Sequence, residues 1–407
     1  MRRMLAGLLA AVALGAPASA AAKGCGLPGA TWTQAAPASQ GMDAARLAAT
    51  MNWATEHDSA SVAVYRHGCL VASSAIDGVT GDQPIDGWSM TKSVSSLLIG
   101  RAVTLGLLKP SDRLGRFYPT ADAAHRRLTV RNLLEMSSGL HRNWVRDLSP
   151  QPDRVKDALA LKFDHRPGTH WEYQQSTCTL LLDVLQHAAG RDVQAWAQEQ
   201  LFGPVGIKPG AWTWERDRAG HTEGWAHLHM SNRDFARLGE LVLRKGVWNG
   251  RRLIARSYLR AALHPNATNG AYGYLWWLNG GRSWVMPSVY GADTGSGWVM
   301  PYAPRDMVLM AGMQEQRTYV IPSRDLVIVR MGAPGSKELD TRVTIFAGRA
   351  GELDHEILRG VLGAVLDVPY RDPGPYPGSG LVLPPLDHGI VGDATDVPDV
   401  LAGSLGP

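Results

Sequence analysis

The chain has 407 residues, 45% of them hydrophobic and 19% charged, which is enough apolar material for one large core or two packed lobes and too little charge for a disordered chain. A formal charge of +4, with no block of more than two consecutive Lys or Arg, excludes a surface that tracks phosphates. Nucleic acid is therefore not expected as a partner.

The chain opens on "MRRMLAGLLAAVALGAPASA". Arg2 and Arg3 form a positive region, Leu5 to Leu14 a short apolar region, and Ala18-Ser19-Ala20 a small-residue cleavage site, the pattern of a secretory leader over residues 1–20. The apolar region is about half the ~20 residues that a bilayer core demands, and no later segment is apolar for as long as ~18 residues. The mature chain is expected to be exported, to the periplasm or beyond the cell, with cleavage near Ala20 and no transmembrane segment. Export places Cys25, Cys69 and Cys178 in an oxidising compartment, and an odd count leaves one thiol over. Three pairings are open; Cys25 with Cys69 is the expected one, leaving Cys178 buried in "TCTLLLDVL".

Residues 43–57 have helical periodicity, and residues 61–75 read as two strands around a His67-Gly68 turn. From Lys92 onward, Val94, Leu97, Leu98, Ala102 and Leu105 keep helical spacing up to Gly106. Residues of about 110–265 are rich in helix patterns separated by Pro and Gly, and predict an all-helical lobe inserted into the chain. Strand patterns return at "YGYLWWL", "RDMVLMAGMQEQRTYVIP" and "DLVIVRMG", and "ELDHEILRGVLGAVLD" closes with a helix. Strands at both ends with helices between them imply one sheet built from both termini. Residues 371–407 hold seven Pro and seven Gly and no Lys, which predicts an extended tail.

The stretch "GWSMTKS" places Ser89 three residues ahead of Lys92 at the start of that buried helix. On a helix this spacing puts both side chains on one face, so the amine reaches the hydroxyl. Of the eight lysines, Lys92 alone has a serine at that distance. To act as a base the amine must be largely neutral, which burial provides, and a helix N-terminus beside Ser89 offers N–H groups for an oxyanion.

The blocks "GWSMTKS", "LLIGRAVTLGLLKPSDRLGRFYP", "LTVRNLLEMSSGL", "PGTHWEYQQSTCTLLLDVLQHAAG", "RDFARLGELVLRKGVWNGRRLI" and "YGYLWWL", in this order, resemble the serine β-lactamase and penicillin-binding superfamily, in particular its class C-like branch of esterases, peptidases and 6-aminohexanoate-dimer hydrolases. The resemblance covers about residues 40–367. It implies an α/β plus all-α, β-lactamase/transpeptidase-like fold: an antiparallel sheet built from both termini, flanked by helices, with the inserted helical lobe, over residues 21–367 and followed by a Pro/Gly-rich tail at 368–407.

The resemblance also implies roles. Ser89 matches the acylated nucleophile and Lys92 its proton acceptor. The family's second motif, usually Tyr-x-Asn, is Tyr173-Gln174-Gln175 here, which implies a proton relay through a Tyr173 phenol lowered in pKa by the adjacent ammonium, with Gln175 donating an amide hydrogen bond to substrate. The third motif, normally Lys-Thr-Gly or His-x-Gly on an edge strand, aligns with Met310-Ala311-Gly312. Gly312 then lets substrate approach the backbone, and the N–H of Met313 completes an oxyanion hole with that of Ser89. The family's third-motif cation holds a substrate carboxylate, and Met310 cannot, although Arg317 or Arg142 could substitute from another direction. Trp144, Trp171, Trp276, Trp277 and Trp298 suit an apolar or amphiphilic acyl group. The expected activity is hydrolysis of a small-molecule ester or linear amide with no cofactor. The alternative is a β-lactam-processing or penicillin-binding protein, or a peptidoglycan-binding module with little turnover.

Two other chemistries fit the sequence less well. "GWSMT" approaches a Gly-x-Ser-x-Gly elbow, but Thr91 stands at its fifth position and the βαβ alternation that would carry an Asp and a His is absent. His221, Glu223, His227 and His229 in "HTEGWAHLHMSNRD" could ligate zinc, yet no His-Glu-x-x-His occurs and satisfied or solvated histidines are the expected reading.

Overall fold

The structure is a computed structural model that describes residues 24–142, 144–288, 291–332 and 351–377. The leader at 1–20 and residues 378–407 of the tail lie outside the described residues. Eleven helices and thirteen strands are described.

The first helix, α1 (Ala44–Glu56), starts at Asp43, whose carboxylate accepts from the N–H groups of Ala45 and Arg46. A hairpin follows, β1 (Ser59–Arg66) and β2 (Cys69–Ser73), turning through His67 and Gly68 at φ 53° and 75°. Two left-handed residues in a two-residue loop match the right-handed twist of the strands. After α2 (Asp77–Thr80) and β3 (Ile85–Asp86) comes α3 (Met90–Thr104), in which every residue from Met90 to Ala102 is buried. A helix covered all round needs partners for its polar side chains. Ser93 Oγ accordingly donates to the Leu275 carbonyl (2.7 Å) and Ser95 Oγ to that of Gly224 (2.8 Å).

The middle of the chain holds α4 (Val130–Leu134), α5 (Trp144–Leu148), α6 (Arg154–Ala158), α7 (Ser176–Ala189), α8 (Val193–Ala197), α9 (Asn232–Leu243) and α10 (Arg256–Ala262). It is not all helix, which corrects the sequence reading. β4 (Thr213–Trp214) and β5 (Leu228–Met230) form a small sheet with β3, and β6 (Val247–Trp248) pairs with β7 (Arg251–Arg252). Strands this short carry no readable alternation. Of these helices, α9 packs directly on the main sheet.

That sheet takes β8 (Trp277–Leu278), β11 (Val308–Gly312), β12 (Gln316–Ile321) and β13 (Leu326–Gly332) from the second half, in the order β2-β1-β13-β12-β11-β8, antiparallel throughout. β9 (Ser283–Ser288) and β10 (Gly291–Ser296) form a separate hairpin. One face of the sheet packs on α1 and on α11 (Glu352–Ala364) through Leu47, Tyr319, Ile328 and Ile357, and the other packs on α3 and α9 through Met90, Met310, Val320 and Phe235. Both termini therefore meet in one sheet. β8 pairs with β11 only at Val308 and Leu309, so Met310 to Gly312 form an open edge. Cys25 and Cys69 are joined by a disulfide, and Cys178 is free and buried.

Candidate active site

The turn before α3 is made by Gly87 and Trp88. Trp88 sits at φ 46°, a region that costs a bulky residue free energy and is found where the surroundings enforce it. Here the enforcing groups are the Asp86 carboxylate, which accepts from the Trp88 N–H (2.7 Å), the Leu228 carbonyl, which accepts from that of Gly87 (3.0 Å), and Gln314, bonded to the Trp88 indole (3.3 Å). The turn delivers Ser89 to the N-terminus of α3.

Lys92 Nζ lies 2.8 Å from Ser89 Oγ and also donates to the Trp225 carbonyl (3.0 Å). Its side chain is 1% exposed, and burial pulls the ammonium down from its ordinary 10.5 to about 8, with the nearby Arg154 acting in the same direction. Tyr173 hydrogen-bonds to Ser89, and its ring lies 4.6 Å below the amine. Burial pushes the Tyr173 phenol above its ordinary value, and the bond to Ser89 offsets only part of this. The sequence reading expects it lowered by an adjacent ammonium; burial outweighs the lowering contributions of Ser89 and Arg142, so the phenol is raised instead. Trp171, Tyr272 and Trp277 box the ring at centroid distances of 5.9, 6.3 and 6.0 Å.

Gln175 immediately precedes α7, where Asp147 of α5 accepts from the N–H groups of Gln175 (2.6 Å) and Ser176 (3.0 Å). This ties the Tyr173 segment in place and satisfies two donors of the first turn. Among the described residues the buried Gln175 Oε1 has no hydrogen-bond partner. On the other side of Ser89, Gly312 ends β11 so close to the turn that a Cβ there would stand 2.3 Å from the Gly87 carbonyl and 3.0 Å from the Ser89 nitrogen. Only glycine fits.

Ser89, Tyr173, Gln175, Gly312 and Met313 thus line one cleft of about 910 Å³, its solvent mouth included. Met286, Met300, Met307, Leu309, Leu148 and Trp277 make much of its wall. Of the other tryptophans named above, Trp276 is wholly in the core, Trp171 stands behind Tyr173, and Trp298 stacks under Arg305 at 3.9 Å outside the lining. The Trp144 side chain lies outside the described residues. Arg317 lines the cleft but is paired with Asp354 (2.9 Å), and Arg142 is paired with Glu172 (3.1 Å) away from it.

The histidine-rich stretch is hydrogen-bonded to carboxylates, and His221 also stands with Asp153 and Asp217 in a group that could hold a metal ion. His221 bonds to Asp183 (3.1 Å), His227 to Asp86 (2.8 Å) and His229 to Glu215 (3.4 Å), while Glu223 meets Arg154 (2.9 Å) and the Trp225 indole (2.6 Å). Held this way, the turn before β5 points the Trp225 carbonyl toward Lys92. Trp225, Asp147 and Asp354 were not singled out from the sequence. The first acts through its backbone and the other two through long-range packing, so no local pattern marks them.

Residues 44–333 match the family described as β-lactamase. The chain belongs to the β-lactamase family. An uncharacterized protein of Alkalihalophilus pseudofirmus (strain ATCC BAA-2126 / JCM 17055 / OF4) is 21% identical over 265 residues, 60% of this chain and 71% of the relative. Among solved structures, a candidate β-lactamase from Bacteroides dorei DSM 17855 superposes with a TM-score of 0.62 at 16% identity, over 80% of this chain and 99% of the other. A candidate 6-aminohexanoate-dimer hydrolase from Bacillus anthracis gives 0.59 at 14% identity, over 77% and 80%. At such identities these structures speak to fold alone: the chain has the fold of the β-lactamase-family serine hydrolases. Among the described residues no helix is long and apolar enough to cross a membrane.

Proposed function

We propose that this protein is an exported serine hydrolase that cleaves an ester or a linear amide with an apolar acyl group. The observation that carries the reading is the 2.8 Å contact between the Ser89 hydroxyl and a Lys92 amine buried out of water. Neutral Lys92 takes the hydroxyl proton as Ser89 Oγ bonds to the substrate carbonyl carbon. The oxyanion is received by the N–H groups of Ser89 and Met313. Collapse breaks the bond to the leaving group, which takes its proton from the Tyr173 phenol, and Lys92 restores that proton. Water then enters along the same path in reverse roles and releases the acid. Gln175 offers its amide to the bound substrate.

Methionines and Trp277 along the cleft favour an apolar acyl chain. Arg317, the cation among the described lining residues, is already neutralised by Asp354. A carboxylate beside the scissile bond, as in β-lactams, therefore finds no ready partner, and this separates the reading from a β-lactam-processing one.

A fluorophosphonate probe on the purified mature protein should label Ser89, located by peptide mass spectrometry, and Ser89→Ala should lose both label and hydrolysis of short-chain nitrophenyl esters. Label elsewhere, or hydrolysis retained by Ser89→Ala, defeats the proposal. A chromogenic cephalosporin should be turned over more slowly than the esters; the reverse order would favour the β-lactam reading.

A further inference from the structure

Resting on the hydrolase reading above, we propose that Arg317 is a positioning residue: it grips the carbonyl of Gly312 and so aims the N–H of Met313 at the oxyanion. A peptide unit is planar and trans, so its C=O and the following N–H point in opposite directions. Fixing the carbonyl of the Gly312–Met313 peptide therefore fixes the donor on its far side. Arg317 Nη1 donates to the Gly312 oxygen at 2.9 Å.

This peptide needs holding. It stands at the end of β11, past the reach of β8, and leads into Gln314 and Glu315, both left-handed at φ 56° and 52°. A peptide at the mouth of such a turn has β12 on one side only, without the second ladder that keeps a strand interior in place.

Arg317 is held in its turn. It lies opposite Ala311 on β12, with its Nε and Nη2 bonded to the two Asp354 oxygens at 2.9 and 3.3 Å. Asp354 occupies the first turn of α11, where a carboxylate is favoured by the helix dipole, and it also accepts from the Tyr319 hydroxyl. The guanidinium fork thus has two arms committed to the carboxylate and Nη1 left for backbone carbonyls, Gly312 and, at 3.1 Å, Gln316. A planar fork is suited to that division of labour and an ammonium is not. The chain of contacts runs from α11 through Asp354 and Arg317 to the peptide beside Ser89.

The test compares Arg317→Gln, Arg317→Lys and Asp354→Asn with the full mature enzyme, using the best nitrophenyl ester and an aryl boronic acid whose tetrahedral adduct on Ser89 places an oxygen at the oxyanion position. Arg317→Gln should lower kcat by about 10- to 100-fold, against the ~10²–10³ for outright loss of an oxyanion donor, with KM within about twofold. Boronate affinity should weaken by a factor similar to the loss in kcat/KM, and Arg317→Lys should recover part of both. A role in stability alone would shrink the active fraction and leave the boronate Kd untouched. Unchanged kcat and boronate Kd in the folded variants overturn the proposal, and if Arg317→Gln does not fold, Asp354→Asn and Arg317→Lys decide it. Labelling of Ser89 in the wild-type enzyme separates the outcomes. With that label present, indifferent Arg317 variants sink this inference alone; without it, the hydrolase reading falls and takes this inference with it.

Discussion

Lys92 works as a base only when neutral, so its titration sets where on the pH scale activity appears. Burial lowers it from 10.5 to about 8. Because the deprotonated form is the active one, kcat/KM should rise with pH, reach half its plateau near pH 8, and fall about tenfold per unit below that. Ester hydrolysis followed from about pH 6 to about pH 10, corrected for the spontaneous reaction, checks this. A limb centred near the ordinary lysine value would mean that the amine is hydrated. At this scale the sequence was generous where chemistry is written in side chains: Ser89, Lys92 and Tyr173 stand in blocks whose order is readable. It was silent on the Trp225 carbonyl, because every residue owns one and only the folded path of the Glu223 to Trp225 turn points this one toward the amine. It also misjudged the Tyr173 phenol, since the sign of a shift depends on how dry a site is, and dryness is a property of the packed molecule.

Elements were legible in proportion to their length. α1, the β1–β2 hairpin, α3, α7, α9 and α11 carry enough periods to show themselves, and α7 ends at Gly190 in the left-handed region as its sequence implies. Short strands such as β3 and β4 did not, because pairing with β5 across the fold, and not local pattern, creates them. What matters at the site is the approach of two elements, the end of β11 and the turn before α3. Gly312 makes that approach possible, and the three atoms that would meet a Cβ, the Gly87 oxygen, the Ser89 nitrogen and the Trp88 Cβ, are all fixed to the backbone of the turn. Gly312→Ala should therefore force the strand and the turn apart. Overpacking of this kind costs roughly 1–3 kcal/mol, read as a lower midpoint in urea. Activity should fall by a larger factor than the folded fraction does, since the displaced groups are the Ser89 nitrogen and the Gly312–Met313 peptide. Wild-type kcat in Gly312→Ala would show that β11 plays no part in the chemistry.

At the scale of the whole molecule, both termini contribute to one sheet, and the two ends of that sheet have different work. Gly312, Gln316, Gly332 and Ser59 lie at one end by register, next to Ser89. Arg66, Leu326, Ile321 and Val308 lie at the other. The disulfide is at that second end: the Cys25 N–H bonds to the His67 carbonyl (3.0 Å), and Cys69 begins β2 opposite Arg66. The cross-link spans a sequence separation of 44 residues, and closing a loop of that size in the unfolded chain is worth about 4 kcal/mol in the chain-entropy account. Cys25→Ser with Cys69→Ser should accordingly lower unfolding stability by roughly 2–4 kcal/mol, measured by urea denaturation. The same double variant should keep its kcat, because the bond acts on the unfolded chain and the segment it ties is a sheet length away from the nucleophile. A large loss of kcat with stability intact would mean that the segment before α1 reaches into the chemistry, and would contradict the division of the sheet into a stabilising end and a catalytic end.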